Sequence, residues 1–271
     1  MSWKELFPKE NRYFETKNGI LYCGDCLKIM KGFPKESVDL VLTDPPYNIA
    51  GTNKLTMTGD EIKTNKQAWG DAFKDNWDSI EEYFIWLSRR ILVMKGILRL
   101  SGGLILFLDR NYTGYFIYRI EKELGLKFRN KIYFEKLNSV PHFRKNNYRS
   151  CIEEAIWFTK SSREGYFINF IRQESMRQIF KGSTGEKYRG HPTEKAWWMI
   201  EPLIIRHSDT NALILDPFLG SGKTALVCKR LNRRWVGIEI LEKYCEVSAK
   251  RLDAVKFMEE HPEKKKKGLF I

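Results

Sequence analysis

Short apolar runs alternate along this chain with stretches whose apolar residues recur at helical spacing. The runs at 19–23, 38–43, 103–108, 131–134, 154–159, 212–215 and 235–239 predict buried strands. Between them, 26–31, 79–100, 113–124, 193–206, 223–231 and 241–259 carry the helical period. Strand–helix alternation of this kind predicts an α/β fold: one doubly wound, mainly parallel seven-stranded sheet with helices on both faces. Two segments break the rhythm. Residues 48–76 are polar, rich in Thr, Asn and Gly, and without a period. They exceed ordinary connection lengths, as lids and binding loops do. Residues 161–190 interleave Arg163, Arg172, Arg177 and Lys181 with Tyr166, Phe167, Phe170 and Phe180. That mixture suits a nucleic-acid surface, or a flank packed by its own aromatics.

Length and charge sharpen this outline. A chain of 271 residues suffices for one large α/β domain over 1–271, closed by a basic tail at 260–271. Lys and Arg number 47 against 34 Asp and Glu, a net charge of +13, which points to a polyanionic partner and to nucleic acid before membrane. Five cysteines are scattered; Cys23-Gly24-Asp25-Cys26 has C-x-x-C spacing, but no second pair or histidine cluster completes a metal site. The opening Met1-Ser2-Trp3-Lys4-Glu5 is no signal peptide, and no uncharged apolar run reaches ~18 residues, so a soluble cytoplasmic protein is expected.

Two motifs carry chemistry. Asp44-Pro45-Pro46-Tyr47 follows the predicted strand 38–43, at the strand edge where ligands gather in open α/β sheets. Two prolines remove two backbone donors and leave carbonyl acceptors. With an aspartate before them and an aromatic after, the set can grip a planar ring bearing an amino group. The second motif, Asp216-Pro217-Phe218-Leu219-Gly220-Ser221-Gly222-Lys223-Thr224, joins a strand to a helix as nucleotide-like cofactors require. A P-loop would need glycine where Pro217 stands. Glu239 ends the next strand, placed to accept hydrogen bonds from ribose hydroxyls, and Asp216 could hold a cationic amine. Ribose and ammonium without phosphate describe S-adenosylmethionine.

Together the two motifs resemble those of the DNA amino-methyltransferases, in the order of the β class, with DPPY before FxGxG. Gly24-Asp25-Cys26-Leu27, Trp77-Asp78 and His191-Pro192-Thr193-Glu194-Lys195 resemble further stretches of that family, and the likeness spans about 20–251. The resemblance implies a circularly permuted methyltransferase fold and transfer of a methyl group from S-adenosylmethionine to an exocyclic amine of double-stranded DNA. Asp44 and the Pro45 carbonyl would accept the amine's hydrogens, and Tyr47, which follows Pro46, would stack on a flipped-out base. Asp25 would lie near the cofactor's adenine and Glu239 on its ribose. Asp216 would contact the methionine moiety, Phe218, Gly220, Ser221 and Gly222 would wall the pocket, and Lys195 would approach the carboxylate.

Aspartate at the head of the tetrapeptide favours N6 of adenine in this family; N4 of cytosine, an RNA or small-molecule amine, and an inactive nucleic-acid-binding relative are the alternatives. Residues 161–190 stand where the class carries its target-recognition region. A reader so small implies a short site or a second subunit, so a homodimer is expected, as among many relatives; a cognate nuclease cannot be inferred. Two residues depart from the family's pattern. Lys223 stands where threonine is common and is expected to face solvent or a phosphate; Glu194 stands where glutamine is common and adds negative charge near Lys195.

Overall fold

The computed structural model describes residues 2–48, 54–58, 61–65, 77–139, 141, 145–160, 165–183 and 194–260. In chain order, β1 (Arg12–Thr16) and β2 (Gly19–Cys23) form a hairpin, followed by α1 (Cys26–Met30) and β3 (Val38–Thr43). A separate antiparallel pair, β4 (Lys54–Thr58) and β5 (Glu61–Asn65), precedes α2 (Ile80–Ile97). Then come β6 (Leu98–Leu108), α3 (Thr113–Arg119) with a π turn over Ile120–Leu124, β7 (Lys127–Lys136), β8 (Ile152–Thr159) and β9 (Ile179–Gly182). The chain continues through α4 (Trp197–His207), β10 (Leu213–Asp216), α5 (Lys223–Arg230), β11 (Arg234–Glu239) and α6 (Glu242–Glu260).

Nine strands form the main sheet in the order β1-β2-β11-β10-β3-β6-β8-β7-β9. The block from β2 to β6 is parallel throughout; β8 is antiparallel to both of its neighbours, β6 and β7. All seven expected strands are present, but the sheet is wider by β1 and β9, which add to its two edges. Neither has a fully buried residue, since both alternate half-buried with exposed side chains, so hydropathy does not mark them. The β4–β5 hairpin also corrects the expectation of an aperiodic 48–76; the Gly59-Asp60 dipeptide between its strands is a hairpin signal in the sequence.

The core lies on both faces of the sheet because the strands split their side chains with period two. Ile20, Tyr22, Val41, Leu104, Leu106, Leu215, Val236 and Ile238 pack toward α1, α2 and α3. Leu21, Leu40, Leu42, Ile105, Phe107, Ile214 and Trp235 pack toward α4, α5 and α6. The long helix α2 starts where Ser79 Oγ accepts the Glu82 N–H at 3.1 Å. It buries Tyr83, Leu87, Ile91 and Met94, spaced to fall along one face. Trp235 lies directly across Gly19 in the β2–β11 register, and a Cβ on Gly19 would stand 1.8 Å from its Cε2, so the indole dictates glycine there. Among the described residues no helix is long and apolar enough to cross a membrane.

In a parallel block all carboxyl ends share one edge. The ends of β2, β11, β10 and β3 therefore bring Gly24-Asp25, Glu239, Asp216 and Asp44 side by side. The expected reader, 161–190, is described over 165–183. There Phe180 stacks on Phe134 at 5.5 Å and Tyr166 meets Trp157 edge-on, so part of its aromatic content closes the sheet edge. Phe170 and Ile171 remain exposed. The tail from 261 on, and His191 and Thr193, lie outside the described residues.

Candidate active site

A cavity of about 300 Å³ opens along that edge, within the size range of small-molecule sites. Asp25, Asp44, Pro45, Pro46, Tyr47, Lys195, Asp216, Phe218, Gly220, Ser221 and Glu239 line it. Gly222 does not. It caps α5 with φ of 87°, and a Cβ there would stand 2.9 Å from Ser248 Oγ, so its role is the turn and the approach of α6.

The glycine turn is fastened at both ends by carboxylates. Asp216, 4 % exposed, accepts hydrogen bonds from Thr43 Oγ1 at 2.8 Å, Phe218 N–H at 3.1 Å and Thr224 Oγ1 at 2.6 Å. Burial nevertheless pushes its carboxyl up to about 6. These three bonds tie β3, β10 and α5 together, a job the motif alone did not suggest for an expected partner of the methionine ammonium. Glu239 accepts the Gly220 N–H on Oε2 and the Leu241 N–H on Oε1, each at 2.9 Å, and burial raises its carboxyl above the ordinary value despite those bonds.

On the α1–α2 side the cavity wall is aromatic. Phe218 and Trp86 lie 5.8 Å apart between ring centroids, and the Arg90 guanidinium sits 3.9 Å from the Trp86 ring. Arg90 also pairs with Asp25 Oδ2 at 3.3 Å, while Asp25 Oδ1 caps α1 by accepting the Lys28 N–H. Aromatic faces at one end, a carboxylate at a strand end beside them, and a glycine turn opening a helix fit a nucleoside with a charged tail.

The tetrapeptide lines the same cavity. Tyr47 Oη donates to Asp44 Oδ1; burial, with the Asp44 charge beside it, raises the phenol well above its ordinary value and keeps it a donor. Tyr83 Oη donates to the Pro46 carbonyl at 2.6 Å, fixing the turn onto α2. Among the described residues none donates to the Pro45 carbonyl. Asn48 Oδ1 accepts the Trp77 N–H at 2.7 Å, which ties the end of the tetrapeptide segment to the residue that precedes α2 by three positions.

Lys195 is placed differently from the expectation that it serves the cofactor's carboxylate. Its ammonium lies 2.8 Å from Asp44 Oδ2, 3.1 Å from Glu153 Oε2 and 2.9 Å from Tyr47 Oη. Burial would lower it, but those three groups outweigh burial and hold it protonated. Glu153, on β8, belongs to none of the motifs. Burial would raise its carboxyl, yet Lys195 and Lys136 bring it down to about 2. Lys223 does not face solvent: its side chain is 11 % exposed, its Nζ stands 3.5 Å from Glu194 Oε2 and it covers the Trp197 ring. Glu194 also accepts from Ser221 Oγ and pairs with Arg251, so its negative charge is spent on the glycine turn and α6. The paired carboxylate is what makes a buried lysine tolerable beside the turn.

Sequence reading missed Trp86, Arg90, Glu153 and Arg251, which come from α2, β8 and α6 rather than from motif segments. The Ile152-Glu153-Glu154-Ala155 sequence does carry a signal, two acids opening a buried strand.

A family model described as DNA methylase, the N6/N4 methyltransferase family, matches residues 38–250. Over 253 residues the chain is 31 % identical to the type II methyltransferase M.HinfI of Haemophilus influenzae, covering 86 % of this chain and 68 % of that one. It is 29 % identical over 254 residues to the type II methyltransferase M2.LlaDCHI of Lactococcus lactis subsp. cremoris, covering 89 % and 91 %. Among solved structures, a PvuII DNA methyltransferase, cytosine-N4-specific, shares the fold with a TM-score of 0.72 at 21 % identity, over 90 % and 89 % of the two chains. The M1.HpyAVI–SAM complex aligns with a TM-score of 0.65 at 26 % identity, over 86 % and 98 %.

Proposed function

Because the chain belongs to the N6/N4 DNA methylase family, a family of S-adenosylmethionine-dependent enzymes, we propose that it methylates N6 of a flipped-out adenine in double-stranded DNA, as a β-class enzyme with permuted motif order. The observation that carries this reading is the shared cavity, which Asp44, Pro45 and Tyr47 line together with Glu239 and the glycine turn.

The cofactor supplies an electrophilic methyl group on a sulfonium. Glu239 holds its ribose, Phe218 and Trp86 flank its adenine with Asp25 beside them, and Ser221 with the turn at Gly220 backs its methionine end. Asp216 acts there as the tie beneath the turn and as a nearby negative charge.

At the tetrapeptide, Tyr47 stacks on the target base once it has left the duplex, since the amine is inaccessible inside the stack. Asp44 Oδ2 and the Pro45 carbonyl accept its two N–H groups. An aromatic amine is a poor nucleophile because its lone pair delocalises into the ring. Two in-plane acceptors favour a pyramidal nitrogen with that lone pair aimed at the methyl, a contribution of positioning and electrostatics. Asp44 Oδ2 and the Pro45 carbonyl would hold the nitrogen against the methyl that bound S-adenosylmethionine would supply, the N–C bond forming as the methyl leaves the electron pair on sulfur, and Asp44 Oδ2 would take the proton that the nitrogen sheds.

Aspartate at the head of the tetrapeptide is the feature that favours adenine over cytosine N4. Residues 161–190, with 48–76, are the proposed reader of the surrounding sequence. The +13 net charge supports duplex binding through phosphates.

Tritium transfer from labelled S-adenosylmethionine to unmodified duplex DNA, followed by nucleoside analysis, tests the reading. Label in N6-methyladenine with wild type and none with Asp44→Ala is expected. Label confined to N4-methylcytosine would overturn the choice of base, and equal label in both proteins would overturn the role of Asp44.

A further inference from the structure

Both oxygens of Asp44 are engaged within the protein, Oδ1 by Tyr47 Oη and Oδ2 by the Lys195 ammonium at 2.8 Å. The ammonium therefore occupies the acceptor edge that the target amine needs. An ammonium has three donors and no acceptor, so it can move between carboxylates but cannot itself take the amine's hydrogens.

Glu153 stands on its other side. Oε1 pairs with Lys136 at 3.1 Å, while Oε2 lies 3.1 Å from Lys195 Nζ. That Oε2 atom is buried and, among the described residues, accepts no well-directed hydrogen bond. The ion pair is already in place, and a small shift of the lysine would turn it into a directed hydrogen bond. Charge points the same way. The amine nitrogen becomes positive as the N–C bond forms, and a cation fixed on Asp44 would oppose that development.

We propose that Glu153 is a positioning residue for methyl transfer: it draws the Lys195 ammonium from Asp44 Oδ2 to its own Oε2 as the target amine arrives. The role rests on Asp44 being the acceptor of that amine. Glu153 acts through Lys195 and touches no substrate; Lys195 is a place-holder that keeps Asp44 oriented until the base replaces it.

A double-mutant cycle tests it, with single-turnover tritium transfer to unmodified genomic DNA and calorimetric titration of the cofactor as separate readouts. In Glu153→Gln the transfer rate falls about tenfold, within the range of coupling between neighbouring charges, while cofactor affinity holds. Glu153→Asp, which keeps the charge, recovers most of the rate. Lys195→Met slows transfer but leaves a measurable rate, and in that background Glu153→Gln changes the rate by less than about twofold. Equal slowing by Glu153→Gln in both backgrounds would make Glu153 a structural residue and overturn the proposal. So would an inactive Lys195→Met, or one with weakened cofactor binding. Wild type transferring no label to any DNA would instead defeat the functional reading itself.

Discussion

Replacing Glu239 by glutamine keeps the side-chain volume and removes the charge at the strand end where the ribose is proposed to bind. In the native site each carboxylate oxygen accepts one backbone N–H at 2.9 Å, from Gly220 and from Leu241. A glutamine offers one acceptor and turns an amino group toward the other N–H. A buried donor left facing a donor costs about 1–3 kcal/mol, which the fold bears and a urea midpoint measures. The binding loss is separate. Hydrogen bonds to charged groups contribute about 1.5–3 kcal/mol against about 0.5–1.5 for neutral ones, so the ribose loses roughly 1.4 kcal/mol, tenfold in Kd. Titration calorimetry with S-adenosylmethionine and with its 2′,3′-dideoxy analogue isolates that part, because the analogue has no hydroxyls to lose. Glu239→Gln should weaken the parent about tenfold more than the analogue, a coupling typical of groups in direct contact. If both ligands weaken equally, Glu239 only braces the glycine turn and the ribose assignment is wrong. Burial raises the carboxyl of Glu239, so its protonation begins at higher pH than in an exposed glutamate. Cofactor affinity in wild type should fall as pH drops through that raised value, and the substitution should abolish this component.

His207, at the end of α4 with its ring 4.5 Å from the Trp157 indole, is pushed by burial down to about 3. The unfolded chain binds a proton there near pH 6.5 and the native chain does not, so stability drops as pH falls below that value, by about 2 kcal/mol at pH 5. Urea midpoints of His207→Phe should decline less between pH 7 and 5 than those of wild type, and parallel declines would refute this. Gly19→Ala forces a methyl into the Trp235 indole, an overpacking that costs about 3 kcal/mol. Its cost should shrink in a Trp235→Leu background, and strict additivity of the two changes would show that the collision is not the cause.

The parallel block was legible because its strands are buried on both faces and read as continuous apolar runs. Arg12–Thr16 and Ile179–Gly182 were not, since an edge strand covered on one side carries a polar composition. The motif residues that gather at the cavity were readable for a related reason. Each follows a strand of that block, so strand position alone sends it to one edge. Lys195 illustrates the limit. Its motif predicts a cation near the cofactor, but its counter-ions come from β3 and β8, and nothing local to 191–195 shows which carboxylate lies closest. Lys223 was misplaced for the same reason: its partner Glu194 lies 29 positions earlier and meets it only through the fold.

The carboxylate of Asp216 reaches Thr43 on one neighbour and Thr224 on another, and this matters to anyone exchanging parts between related enzymes. A graft of the tetrapeptide strand alone would import a new residue at position 43 onto a recipient's aspartate and leave a buried acceptor without its hydroxyl. The unit of transplantation is thus a discontinuous triad spread over more than 180 positions of chain, and chimeras that respect it should fold where those cut at the obvious motif borders fail.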